Sequence, residues 1–262
     1  AELSITSEVL SALEVFEGTK LSSAERLAIF LMYHRFRADS ELRPYICSLP
    51  HNYSSVPLFW DDKQLIAVGQ GHLSELGVRT TGAKLYVVQQ YNRLLPLLFQ
   101  RAPELFDPEV HTLPAFLWAL QTVKSRNWYV NRQREPKIEY AMLPLGDMIN
   151  HRQNEPGGGR TSSDGARFEL HSGSDYAAGD EVFISYGNHC NMHLLMTYGF
   201  QVEGNAVNCT GKPGGTTLQQ AGAGWAGKKQ ELYRHWAASG IGTSSVLPRG
   251  KPGASSGMPV QR

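Results

Sequence analysis

Three short stretches of the chain hold residue types that do chemistry at close spacing. The first is Asp147-Met148-Ile149-Asn150-His151, which follows an apolar MLPL run and gathers a carboxylate, an amide and an imidazole. Alone, it also fits a turn in which Asp and Asn bond their own backbone and the His is satisfied in a core. The second is Phe183-Ile184-Ser185-Tyr186-Gly187, a β-rich run ending in a phenol and a glycine. A hydroxylated ring at the end of a buried strand is common and need not be catalytic. The third, His189-Cys190-Asn191-Met192-His193, spaces two imidazoles at i and i+4, where one helix face could offer both to zinc. Cys190 stands where the hydrolytic His-Glu-x-x-His pattern has its glutamate, so no general base is supplied. The plainer reading is a polar helix start with Asn191 as cap, and no metal is assigned.

Such residues must be positioned by the elements around them. Ser22 followed by Glu25 predicts a reciprocally capped helix over 22 to 39, with Leu27, Phe30 and Leu31 on its apolar face and Arg35 and Arg37 near its end. Leu85, Val88, Leu94, Leu95 and Leu98 predict a second helix from Ala83 to Gln100, which Pro96 should bend or end early. Thr112 as cap, Pro114 in the first turn, and Phe116, Leu117, Leu120 and Val123 predict a third, running to Ser125-Arg126. From Glu139 onward Pro, Gly and short β-rich runs replace the helical period. Arg167–Leu170 and Val182–Tyr186 read as strands, joined through a Gly173 region and the Ala178-Gly179-Asp180 turn, and the stretch EPGGGRTSSDG reads as an exposed loop. Beyond Gly204 the Gly-, Ser- and Pro-rich composition is that of a disordered linker, except for a short helix near 225–238 where Trp225, Leu232 and Trp236 share a face.

Composition narrows the classes. The chain has 262 residues, 41% hydrophobic and 19% charged, with 25 Lys and Arg against 24 Asp and Glu. That is a globular balance, long enough to bury a core without staples. A net charge of +1 lacks the strong basic field of a dedicated nucleic-acid binder, so no direct nucleic-acid binding is expected. Cys47, Cys190 and Cys209 are odd in number and lack zinc-type spacing, so free thiols in a reducing compartment are the simpler expectation. No stretch approaches the roughly 20 apolar residues of a membrane span, and no membrane partner is expected. The chain begins without Met and without a basic-then-apolar leader, and is read as a fragment whose address is open among cytoplasm, nucleus and plastid.

In combination and order, Ser125-Arg126, LPLGDMINH (143–151), GDEVFISYG (179–187), Asn191 and LLMTYGF (194–200) resemble the SET-domain methyltransferases. The resemblance is closer to the subgroup with a helical insert, which includes Rubisco large-subunit lysine methyltransferase and actin-histidine methyltransferase. It extends through LPAFLWALQTVKSR (113–126), more weakly to Arg43-Pro44-Tyr45-Ile46 and Leu49-Pro50, and covers about residues 1 to 203.

The resemblance implies an α+β fold of small β-sheets with a knot-like C-terminal crossing, split by a helical insert. It divides the chain into residues 1–138, a shortened N-terminal SET segment plus insert; 139–203, the C-terminal SET core; and the tail 204–262. The segment of Asn150-His151 would thread beneath that of Tyr186-Gly187. S-adenosylmethionine would lie on one face of the cleft, and a substrate side chain would enter from the other. By the same resemblance Arg126, Asn150, His151, Tyr186 and Phe200 would hold the cofactor, Ser125, Asp147 and Tyr198 would face the substrate, and Tyr186 would be the channel tyrosine beside the transferring methyl.

These residue types suit in-line methyl transfer, which needs alignment and a dry channel rather than a metal. A lysine must still lose a proton held with a pKa of about 10.4. A sulfonium about 4 Å away opposes the ammonium by roughly 4 kcal/mol at an effective dielectric near 20, worth about three decades of proton affinity.

The chain departs from the family in two places: the Gly-rich first strand that contacts the cofactor does not precede Leu3-Ser4-Ile5-Thr6, and the tail stands where a helical docking domain is usual. The expected activity is methylation of a lysine side chain of a protein substrate by a monomeric enzyme. Histidine methylation on the same architecture and a non-catalytic protein-binding module are the alternatives.

Overall fold

Helix α1, Ser23–Phe36, begins with the reciprocal cap that its sequence predicts. The Ser22 hydroxyl accepts the Glu25 amide at 3.2 Å and the Glu25 carboxylate accepts the Ser22 amide at 2.7 Å. Helix α2, Arg43–Ser48, a 3-10 turn at Pro57–Phe59 and helix α3, Asp62–Ala67, follow. The computed structural model describes residues 21–67, 73–131, 138–163 and 167–209. The predicted helix near Trp225–Trp236, the tail beyond 209 and the Leu3–Thr6 segment lie outside the described residues.

Helix α4, Leu73–Arg101, starts well before Ala83 and runs through Pro96, where the sequence predicts a bend or an early end. An internal Pro costs about 3 kcal/mol, whereas burying one Leu contributes about 1.5–3 kcal/mol. Leu94, Leu95 and Leu98 are all fully buried around Pro96, so packing outweighs the local defect.

Helix α5, Leu113–Arg126, occupies the centre of the helical layer, with Phe116, Leu117, Ala119 and Val123 fully buried. Pro114 stands in its first turn, but the Thr112 side chain makes no cap bond. Helix α1 packs along it, and the Arg35 guanidinium lies 3.7 Å from the Trp118 ring while the Trp118 indole N–H donates to the Pro50 carbonyl at 2.8 Å. This buried helix delivers its last two residues, Ser125 and Arg126, to the edge of the core.

Past α5 the described chain forms three two-stranded sheets. Strands β1 (Trp128–Asn131) and β2 (Ile138–Ala141) are antiparallel, so strand structure begins before the change of pattern at Glu139. Strands β3 (Asn150–His151) and β6 (Phe183–Ile184) are parallel, with Asn150 opposite Phe183 and His151 opposite Ile184. Strands β4 (Gly158–Thr161) and β5 (Phe168–His171) are antiparallel.

Two strand expectations are corrected. Residues 158–161 are a strand inside the stretch read as a loop, because the space beside Gly159 is filled by aromatic rings: a Cβ there would lie 2.6 Å from Trp128 Cζ3. The second predicted strand shrinks to Phe183–Ile184 and pairs with β3 rather than with β5.

Helix α6, Asn191–Tyr198, closes the described fold. Cys190, not Asn191, holds its cap position, and Gly199 ends it at φ +83°, donating to the carbonyls of Leu194 and Leu195. The Asn191 amide reaches forward instead, donating to the Val202 carbonyl at 2.9 Å and accepting the Val202 amide at 3.0 Å. Cys190 is joined to Cys209 in a disulfide, against the expectation of free thiols, because the turn after Gly199 brings their Cα atoms to 5.3 Å. Among the described residues no helix is long and apolar enough to cross a membrane.

Candidate functional site

The end of α5, the 3-10 turn Gly146–Met148, strand β3 and the turn after β6 converge on one cavity of about 280 Å³. Of the residues expected to act, Ser125, Arg126, Asp147, Asn150, Tyr186, Tyr198 and Phe200 line it. His151 stands behind that wall. Its Nδ1 accepts the Tyr186 amide at 3.0 Å, and its ring lies 5.2 Å from that of Tyr186 and 5.7 Å from that of Phe200. Accepting at Nδ1 requires a neutral ring, and burial, with His189 nearby, lowers its pKa in agreement.

Tyr186 is fixed from two sides, because its hydroxyl also donates to the Ile149 carbonyl at 2.8 Å. A phenol that donates in this way presents its oxygen lone pairs as an acceptor. Burial raises its pKa, so it remains an un-ionised phenol. Tyr198 lies 4.7 Å from it between ring centroids and is pushed up to about 12, chiefly by burial. Phe200 completes an aromatic wall 5.9 Å from Tyr198.

The polar lining comes from Arg126, Asp147, Asn150 and Ser125. Arg126 Nη1 donates to the Asp147 carbonyl at 2.7 Å and lies 4.0 Å from Asp147 Oδ1. The Asp147 side chain is 0% exposed, and its Oδ1 is buried with no hydrogen-bond partner. Burial raises its pKa to about 6, against the opposing pull of Tyr45 and Arg126. Asn150 is exposed and donates to Glu181 Oε1 at 2.7 Å. Ser125 turns its hydroxyl back to the Gln121 carbonyl at 3.0 Å.

Three further residues belong to this site without having been singled out. Tyr45 donates its hydroxyl to Asp147 Oδ2. Tyr53 lines the cavity and donates to Thr122 Oγ1 at 2.9 Å, and Glu181 holds Asn150. Tyr45 stands in the RPYI stretch that carries the weaker part of the resemblance, which was the one signal for it.

The His189 and His193 rings stack on each other at 4.0 Å, and His193 is pushed down to about 4 by burial and by His189. Among the described residues no group of three His, Cys, Asp or Glu could hold a metal ion.

No protein-family model matches the chain. It is 26% identical over 182 residues to an actin-histidine N-methyltransferase of Danio rerio, covering 69% of this chain and 30% of that protein. It is 26% identical over 205 residues to the N-lysine methyltransferase setd6 of Salmo salar, covering 74% of this chain and 44% of that protein. The chain thus spans less than half the length of the curated relatives it matches. Among solved structures, the SET domain of LSMT bound to lysine and AdoHcy superposes with a TM-score of 0.62 at 25% identity, covering 75% of this chain and 44% of that one. Rubisco LSMT bound to AdoMet gives 0.59 at 26% identity, covering 77% and 43%. In sequence and in fold, the chain is similar to SET-domain protein methyltransferases.

Proposed function

We propose that the chain is the SET portion of an S-adenosylmethionine-dependent protein-lysine N-methyltransferase. The observation that carries this reading is the meeting of β3 with β6. It sets His151 against the Tyr186 amide and puts Asn150, Tyr186 and Arg126 around one cavity, although the first two segments are 35 positions apart.

The residues present suit the cofactor. The carboxylate of a zwitterionic amino-acid end needs a cation, which Arg126 offers at the cavity wall. When bound, S-adenosylmethionine supplies a methyl group on a positively charged sulfur. Neighbours of this fold have been solved with AdoMet, AdoHcy and lysine, which supports the same choice of ligands here.

The chain's own residues would do the rest. The buried phenol of Tyr186, neutral and already donating to Ile149, can accept an N–H from a lysine amine and so hold its nitrogen lone pair toward the methyl. Tyr198, Phe200 and Tyr53 exclude water and line the way in with aromatic surface. The C-terminal end of α5 reaches the cavity at Ser125 and Arg126, bringing the negative end of its dipole to a place where positive charge must be held. The strand β3 backbone fixes Asn150 and His151, and Glu181 restrains the Asn150 amide.

Incubation with cofactor labelled at the methyl group and with lysate protein tests the reading. Label recovered in methyl-lysine after hydrolysis supports it, and no transfer to any protein contradicts it. Recovery in methyl-histidine would favour the second reading, to which the similarity with the actin-histidine enzymes gives weight.

A further inference from the structure

We propose that Arg35 is a substrate-recognition residue: its guanidinium, held over Trp118 one indole ring from the cavity wall at Pro50, takes a carboxylate of the polypeptide whose side chain enters the cavity. The inference rests on the functional reading above and names the kind of protein substrate that site would take, one with an acidic residue close to its methylated side chain.

Arg35 stands in the last turn of α1, with its guanidinium carbon 3.7 Å from the centroid of the Trp118 ring, which is 1% exposed. Attraction to the ring acts on the charge and supplies no oxygen acceptor for the five N–H donors. Among the described residues Arg35 makes no hydrogen bond and no ion pair, and none of its guanidinium nitrogens is sealed from solvent. Other arginines of the helical layer spend their donors within the fold. Arg37 donates to Asp39 and Tyr33, and Arg93 to Glu25 and Gln90. The ionisable groups whose charge reaches Arg35 are the Tyr53 phenol and the Cys47 thiol, and neither is a carboxylate. Burial pulls its pKa down from 12.5 while arginine stays charged, so the fold withdraws a cation partly from water and sets no anion against it.

The position of that cation ties it to the site. The Trp118 indole N–H donates to the Pro50 carbonyl at 2.8 Å, and Pro50 and Tyr53 both line the cavity. An extended polypeptide advances about 3.3–3.6 Å per residue, so a substrate with one side chain in the cavity can bring a residue about two to five positions away to Arg35. A carboxylate suits the guanidinium in charge and in shape, because two oxygens meet two N–H donors of the planar fork. A partly buried pair of this kind is worth more than an exposed one, about fivefold or more in affinity.

The test uses the full chain saturated with S-adenosylhomocysteine and fluorescent peptides that contain one lysine. Each carries glutamate at one of those positions on either side, or glutamine there as control, and binding is read by anisotropy. The wild type should prefer glutamate to glutamine about fivefold at one of the positions, and the preference should fade as salt is raised. Arg35→Met keeps an unbranched stem beside Trp118 but removes the charge, so glutamate should then bind no better than glutamine; Arg35→Lys should restore part of the preference. With the cofactor in place of its product, the same preference should appear in KM and leave kcat within about twofold. A residue that only packs against Trp118 would, when changed, weaken both peptides equally and lower the melting temperature. That outcome, a wild type without a glutamate preference, or a preference that survives Arg35→Met overturns the proposal, and stronger binding of phosphoserine than of glutamate overturns the carboxylate assignment. If no peptide accepts methyl, the functional reading fails, while the anisotropy comparison still decides the role of Arg35.

Discussion

Tyr186 is held by two hydrogen bonds, one from its amide N–H to His151 Nδ1 and one from its hydroxyl to the Ile149 carbonyl, and each tests a different part of the account. Tyr186→Phe keeps the ring and its packing but removes the acceptor. Turnover should fall by at least about tenfold, while cofactor affinity measured by calorimetry stays within about twofold. Equal loss in both would place the hydroxyl at the cofactor rather than at the amine. Gly199 is a second point where one residue decides. At φ +83° it ends α6, and a Cβ there would collide with Ser55 Oγ, so Gly199→Ala should lower stability by roughly 1–3 kcal/mol in urea denaturation. A change within about 0.5 kcal/mol would show that the turn can relax. Arg126, Asn150, His151 and Tyr186 were nameable because each sits in a short motif whose order along the chain is informative. Tyr45 and Tyr53 were not, since their partners lie 102 and 69 positions away and no local pattern announces such a bond.

Elements differ in how openly the chain declares them. The capped start of α1 is a local event written in four residues, and Ser22→Ala should cost about 1 kcal/mol of stability, read from the urea midpoint. The effect extends beyond the cap, because the Glu25 side chain is 5% exposed and its carboxylate also accepts Arg93 Nη2 at 2.6 Å. A measured loss below a few tenths of a kcal/mol would mean that water replaces the serine without penalty. Helix α5 was equally legible, through its period and Pro114. Helix α4 was legible only in part: the local rule for Pro96 is outweighed by three buried leucines, whose contribution depends on contacts no local rule contains. Strand β4 was hidden for the opposite reason. Its glycines read as a loop, and only the Trp128–Phe168 ring pair packed against it explains why a side chain is absent.

Across the whole molecule, the parallel β3–β6 pair is what turns two separated motifs into one site, and such pairing leaves no periodic signal in the sequence. The burial of its charged groups also sets a pH signature. The Asp147 pKa is raised from 3.8 to about 6, so the native state binds more protons than the unfolded chain between those values, and stability falls as pH rises through that window. His193, lowered from 6.5 to about 4, binds fewer protons when folded and makes stability rise over the same range. The two oppose, so a scan of the wild type alone hides both. Asp147→Asn removes the falling part: between pH 4 and pH 6 the wild type should lose on the order of 2 kcal/mol relative to the variant. Parallel pH profiles for the two proteins would show that Asp147 is not buried as described.

The cavity at the end of α5 is the centre of the functional account, and calorimetric titration of the chain with S-adenosylmethionine addresses it most directly. One cofactor per chain, with binding sharply weakened by Arg126→Ala, is the predicted result. No heat at millimolar cofactor would contradict the account and leave a protein-binding module built on the same fold.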